Sequence, residues 1–251
     1  MRRLVSRVVS RVLLSELFAR ATRVEAALHT RGPRKLVVGL GNLGMEGTRH
    51  SVGMAVLGAL AARLDAAERW RGDKHVSGEV IVVSEAQHAH VVLLRPRLPM
   101  NVNGVSVVKA AGKYGVRPED VVLVHDELDK PLGKISIKHG GSARGHNGVR
   151  SCVDCLQTDA MMRLRVGIGR PAGKSSVERH VLGRFSSEER KVLDSVLVQS
   201  VDLLLSQLAL QDDARQDAQS PASPAGGRRA AQEREEEDKR KPVNMEKQAL
   251  H

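Results

Sequence analysis

The residues able to do chemistry fall in four short stretches. Lys35-Leu-Val-Val-Gly-Leu-Gly-Asn-Leu-Gly44 is followed closely by Thr48-Arg49-His50, which places the Asn42 amide and the His50 imidazole beside one glycine-rich loop. Val121-Val-Leu-Val-His-Asp-Glu-Leu-Asp129 runs an apolar strand into His125, Asp126, Glu127 and Asp129. Gly140-Gly-Ser-Ala-Arg-Gly-His-Asn-Gly148 carries His146 and Asn147 to a helix start, and Pro99-Met-Asn-Val-Asn-Gly104 does the same for Asn101. A histidine held by a carboxylate activates water near neutral pH, because the carboxylate fixes the tautomer and stabilises the imidazolium as it forms. Asparagine amides beside that pair can hold the water or donate to a developing oxyanion. Taken singly, each stretch is also an ordinary cap or turn.

Other chemistries fit less well. Gly39-Leu-Gly-Asn-Leu-Gly44 matches the glycine spacing of a dinucleotide site. A helix should open at those glycines, yet Gly47, Thr48 and Gly53 interrupt it, and an acidic residue at the end of a second strand comes about twice too late. Ser142 lacks the glycine two residues on that a nucleophile elbow requires, since Arg144 stands there. Cys152 and Cys155 form a C-x-x-C with no second ligand pair, which reads as buried thiols rather than a zinc or redox site. The acidic cluster at 125–129 has no carboxylate group elsewhere with matching ligand spacing, so no metal and no cofactor is called for.

Positioning these residues takes a sheet. Strands are predicted at 35–40, 79–84, 90–95, 121–125, 134–138 and 163–168, and helices at 51–66, 102–114, 146–157 and 187–210. The last helix opens with a capping box, Ser186 with Glu189. This alternation indicates one α/β domain over 34–210, and open α/β sheets place ligands at the carboxyl ends of their strands. Residues 1–33 read as a mitochondrial transit peptide, with Arg3, Arg7 and Arg11 opposite a Val/Leu stripe, no Lys, and Ser6, Ser10 and Ser15 interspersed; a disordered basic arm is the alternative. Residues 211–251, with Ser220-Pro-Ala-Ser-Pro-Ala-Gly-Gly and the charge run at 233–241, read as a disordered charged tail. The net charge of +11 includes a surplus of six in the middle of the chain, which favours an anionic partner. Aromatics at 2% argue against a base-stacking platform, and nucleic acid would be held mainly through phosphate. No apolar run approaches the ~18 residues of a membrane span.

Together the motifs resemble those of bacterial-type peptidyl-tRNA hydrolase. The resemblance runs from 35 to 210 through Gly-Leu-Gly-Asn-Leu-Gly (39–44), Thr-Arg-His (48–50), Met-Asn-Val-Asn-Gly (100–104), His-Asp-Glu-Leu-Asp (125–129), Gly-His-Asn-Gly (145–148), Arg-Leu-Arg-Val-Gly-Ile-Gly (163–169) and Val-Leu-Gly (181–183). It implies a monomeric α/β domain, with a mixed, mostly parallel central sheet flanked by helices. The implied activity is hydrolysis of the ester between a peptide and the 3′ end of tRNA, in an organellar or cytoplasmic version. By the same resemblance His50 is the base and Asp126 orients it, while Asn42 and Asn101 position the peptide, the water or the ester carbonyl. His146 and Asn147 lie where the family meets the tRNA acceptor end, and Lys138 and Arg165 match positions that grip its phosphates. Arg163 and Arg165 share a strand face, which permits such a clamp. The implied partner is peptidyl-tRNA, with the ribosome as a second candidate and no membrane. Leu43 stands where the family has Pro, Ser51 where it has Asn, and Pro99 where it has an aromatic. A noncatalytic RNA-binding relative and a dinucleotide-binding oxidoreductase are the competing functions.

Overall fold

The computed structural model describes residues 34–83, 91–171 and 176–219, with side chains described up to 210. The transit segment expected at 1–33 and the tail beyond 219 lie outside the described residues. The chain divides into two units, Met1–Asp212 and Asp213–His251. The described residues belong to the first unit, apart from 213–219.

Seven strands form one sheet. They are β1 (Lys35–Gly39), β2 (Arg71–Asp73), β3 (Gly78–Val83), β4 (Val91–Pro96), β5 (Val121–Glu127), β6 (Ile135–His139) and β7 (Met162–Gly167), in the order β2-β3-β4-β1-β5-β7-β6. The four central strands, β4, β1, β5 and β7, run parallel, and β3, β2 and β6 pair antiparallel at the two margins. Among the described residues the α-helices are α1 (Val52–Arg63), α2 (Asn103–Tyr114), α3 (Asn147–Leu156), α4 (Val177–Leu182) and α5 (Ser187–Gln219). The fold is therefore the α/β domain that the residue pattern indicates, with the mixed, mostly parallel sheet that the resemblance implies.

Strand alternation sorts the core into two layers. Val37, Val122, Val124, Leu164 and Val166 face α1 and α5, packing with Leu57, Leu60, Val196 and Leu204. Leu36, Val38, Leu94, Val121 and Leu123 face α2 and α3, packing with Val107, Ala110, Val149 and Cys152. Cys152 is fully buried, and burial pushes its thiol above the ordinary range, as suits an inert core residue. Close approach of α1 to the sheet depends on glycine. A Cβ at Gly53 would lie 2.2 Å from the Val124 carbonyl oxygen, and one at Gly39 would lie 2.5 Å from the Gly53 oxygen.

Two boundaries and two whole elements differ most from the residue-based reading. Strand β5 runs to Glu127 rather than stopping at 125, because His125, Asp126 and Glu127 continue the ladder against Arg165, Val166 and Gly167. Strand β2 and helix α4 are additional elements that the residue pattern does not indicate. Helix α5 passes Leu210 and continues to Gln219 after its apolar period ends. Within Ser187–Leu210 an 18-residue window has mean hydropathy 1.4 and the length to cross a membrane, though Asp194 and Asp202 interrupt it. Its Leu193, Val196, Val201, Leu204 and Leu208 pack into the core.

Candidate active site

The carboxyl ends of β1, β4 and β5 open into a cleft of about 710 Å³. Strand parity decides what its floor presents. Asp126 belongs to the row of Val122 and Val124 that faces α1, and the 3-10 turn Arg49–Ser51 leading into α1 carries His50. His125 belongs to the row of Val121 and Leu123 that faces α3, and His146 stands at the start of α3. One carboxylate therefore sits between elements from both sides of the sheet.

His50 Nδ1 lies 2.9 Å from Asp126 Oδ1 and 3.1 Å from Oδ2, while His146 Nε2 lies 2.8 Å from Oδ1. Behind them His125 Nδ1 donates to the Asp126 main-chain carbonyl at 2.6 Å. The His50 and His146 rings are 4.9 Å apart, and those of His125 and His146 are 4.7 Å apart at 67°. Burial works to raise the Asp126 pKa, but the two imidazoles, His146 foremost, hold it well below the usual carboxylate range. An ionised Asp126 accepts from both rings, so His50 carries its proton on Nδ1 and turns a lone pair on Nε2 outward. His146 also accepts the Val149 N–H on Nδ1 at 3.2 Å, acting as the N-cap of α3, and so carries its own proton on Nε2. His125 is fully buried, which pushes its pKa down to about 3 and leaves it neutral.

Asn42, Asn101 and Asn147 all line the cleft. The Asn42 Oδ1 accepts the Met100 N–H at 2.7 Å, which ties the β1 loop to the β4 loop and leaves the amide NH2 free to donate. Its backbone N–H is taken by Ser51 Oγ at 3.1 Å, so Ser51 braces the same loop. Asn101 and Asn147 are exposed at the mouth. Lys138 and Arg165 lie outside the cleft lining, on the sheet face beneath the 140–146 loop, where Lys138 pairs with Arg163 and Arg165 with Ser136. Burial, followed by repulsion from Arg163, Arg144 and Arg165, lowers the Lys138 pKa. Arg144, one of those cations, reaches the cleft rim. The expected clamp of Arg163 with Arg165 is corrected: Arg163 is only 2% exposed, and its guanidinium holds the carbonyls of Gly140, Gly141 and Ser142. It supports the loop from within and is not available to phosphate.

The family model described as peptidyl-tRNA hydrolase matches residues 36–225. The chain belongs to the peptidyl-tRNA hydrolase family. A mouse protein named "probable peptidyl-tRNA hydrolase" is 55% identical over 192 residues, covering 76% of this chain and 91% of the relative. A peptidyl-tRNA hydrolase of Syntrophotalea carbinolica is 43% identical, covering 72% of this chain and 93% of its own length. A solved peptidyl-tRNA hydrolase of Acinetobacter baumannii superposes with a TM-score of 0.64 at 34% identity, covering 72% of this chain and 91% of that one.

His50, Asp126 and His146 also bring three potential ligand atoms within 4.8 Å of one another, in the composition of a two-histidine, one-carboxylate metal site. In this hydrolase the hydrogen bonds oppose that use. The His146 Nδ1 is committed as acceptor to Val149, which keeps the proton on Nε2 and removes the lone pair a metal would need. The glycine loop at 39–44 leads through turns to Arg49 rather than into a helix, so it walls the cleft without forming a dinucleotide cradle. The Asp126 network has two participants that the motifs do not announce as such. His125 lies within the 125–129 motif, and His146, expected on the tRNA side, has its ring among Asp126's partners. Strand parity sets His125 on the face opposite to Asp126, whereas no local pattern sets the His146 ring against Asp126.

Proposed function

We propose that the hydrolase cleaves the ester joining a peptide to the 3′-terminal ribose of tRNA, using a water activated by His50. The observation carrying this reading is the pair of His50 Nδ1 contacts to both oxygens of the buried, ionised Asp126 at the floor of the cleft. The outward Nε2 takes a proton from water as the water oxygen attacks the ester carbonyl. Asp126 stabilises the imidazolium, which then returns the proton to the departing ribose oxygen. The Asn42 amide is placed to donate to the carbonyl oxygen as negative charge develops there. Asn101, Asn147 and the His146 side of the cleft hold the peptide and the terminal nucleotide, while Lys138 and Arg165, with Arg144 at the rim, meet acceptor-stem phosphates. The enzyme works as a monomer, as the family resemblance implies, and in the mitochondrion, a reading that rests on the Arg-rich, acid-poor composition of residues 1–33.

Hydrolysis of N-acetyl-aminoacyl-tRNA, with unblocked aminoacyl-tRNA as control, tests the mechanism. His50→Ala should lose on the order of 10²–10⁴ in kcat while still binding tRNA. Asp126→Asn should also be slow, and the double variant little worse than His50→Ala, because the two act as one unit. Wild-type turnover by His50→Ala, or a peptide trapped covalently on the protein, overturns it.

A further inference from the structure

The turn that carries His50 is short. It spans Arg49–Ser51, and the Thr48 side chain caps none of its N–H groups, bonding instead to the Met45 carbonyl and the Ser51 hydroxyl. Its neighbour Arg49 reaches away from the cleft, into the junction between α4 and α5. There Arg49 Nη2 lies 2.8 Å from Glu189 Oε1 and 2.6 Å from Oε2, with Nε 3.3 Å from Oε1. Nη1 donates to the His180 carbonyl at 3.2 Å, the Arg49 N–H donates to the Gly183 carbonyl at 3.0 Å, and the guanidinium lies 5.4 Å from the centre of the Phe185 ring. A Cβ at Gly183 would stand 3.0 Å from Nη1, so glycine there lets the guanidinium in.

Glu189 is itself fixed. Its Oε2 accepts the Ser186 N–H at 2.6 Å, and the Ser186 hydroxyl accepts the Glu189 N–H at 3.2 Å, which is the capping box of α5. Burial works to raise the Glu189 pKa, but Arg49 and the Ser186 N–H lower it overall, so the carboxylate stays charged. The pair is largely enclosed, with Arg49 13% and Glu189 24% exposed. A forked guanidinium–carboxylate contact restricts orientation as well as distance. The same junction holds α4, whose Val177, Val181 and Leu182 wall the cleft.

We propose that Arg49 and Glu189 are positioning residues for hydrolysis. They anchor the His50 turn to the start of α5 and so keep the imidazole aligned with Asp126. The proposal rests on the reading of His50 as the base. Neither side chain belongs to the cleft lining, so their effect passes through His50 and not through substrate contact. A displacement of about 1 Å at a catalytic group can cost on the order of 100-fold in rate.

Steady-state kinetics on the full chain with N-acetyl-aminoacyl-tRNA test this, with Arg49→Lys, Glu189→Gln, Arg49→Ala, Glu189→Ala and the double alanine variant. Glu189→Gln is the mild variant, because its amide oxygen can still accept the Ser186 N–H. It should keep its melting temperature and KM while kcat falls roughly 10- to 100-fold. Arg49→Lys retains the charge without the fork and should fall in kcat by less than Arg49→Ala. The double alanine variant should be no slower than the worse single one, since both break one link. Wild-type kcat in Glu189→Gln and Arg49→Lys, or losses that multiply in the double variant, overturns the proposal. A parallel His50→Ala separates the two readings. If it keeps turnover, both fall; if it is inactive while the Arg49 and Glu189 variants match wild type, the positioning role alone fails.

Discussion

At the floor of the cleft the His125 ring is fully enclosed, between strands of the sheet and the His146 ring. Burial, then repulsion from His146, drives its pKa down to about 3, while Asp126 pulls the other way. In the unfolded chain the same imidazole takes its proton near 6.5. Between those two values the unfolded state binds more protons than the folded one, so stability rises with pH there. The contribution is complete above about 6.5 and is lost as pH falls toward 3, with a limiting slope of about 1.4 kcal/mol per pH unit. Asp126 and Glu189, both lowered carboxylates, add their own losses only below the ordinary carboxylate range. The window from pH 6 to 5 therefore reports chiefly on His125. Urea unfolding at pH 7, 6 and 5 should show a stability drop that His125→Gln removes. An identical drop in that variant would mean the proton is taken up elsewhere.

At the scale of elements, β6 and β7 set the electrostatics beside the cleft. Lys138 and Arg165 are neighbours on one sheet face, with Glu127 3.4 Å from Arg165 as a partial counterion. Lys138→Ala or Arg165→Ala should weaken tRNA binding, shallow the slope of log affinity against log salt by about one unit, and leave kcat at saturating tRNA nearly unchanged. A collapse of kcat at constant affinity would assign these residues to the chemistry. Much of this architecture was legible in the residues. The apolar runs at 35–40 and 121–125 announced the two strands whose ends carry Asn42 and Asp126, and the Ser186–Glu189 capping box forms as the spacing indicated. What escaped was decided by neighbours. Strand β2 is the polar tripeptide Arg71-Gly72-Asp73, made a strand by pairing with Gly78–Val80. Helix α4 is six residues long, too short for an apolar period to show. Arg163 and Arg165 look equivalent along their strand, yet the 140–142 loop closes over one and leaves the other half-buried, a difference that no local pattern encodes.

The whole molecule carries charge at its amino end as well as over the fold. Residues 1–34 hold eight Arg against two Glu, and fused to a fluorescent reporter they should carry it into mitochondria. A reporter that stays diffuse in the cytosol would sink that reading. Within the folded unit the cleft is assembled from the β1 loop, the β4 loop, the end of β5, the start of α3 and the wall of α4, residues drawn from most of its length. The Arg49–Glu189 contact spans 140 positions of sequence. A ribosome makes the chain from its amino end, so residue 49 waits for residue 189 before its turn is pinned. Throughout synthesis the growing chain is itself a peptide esterified to tRNA, the very bond this protein is built to cut. The bonds that pin the His50 turn wait for residue 189, so the finished catalytic geometry arrives only after that residue has left the ribosome.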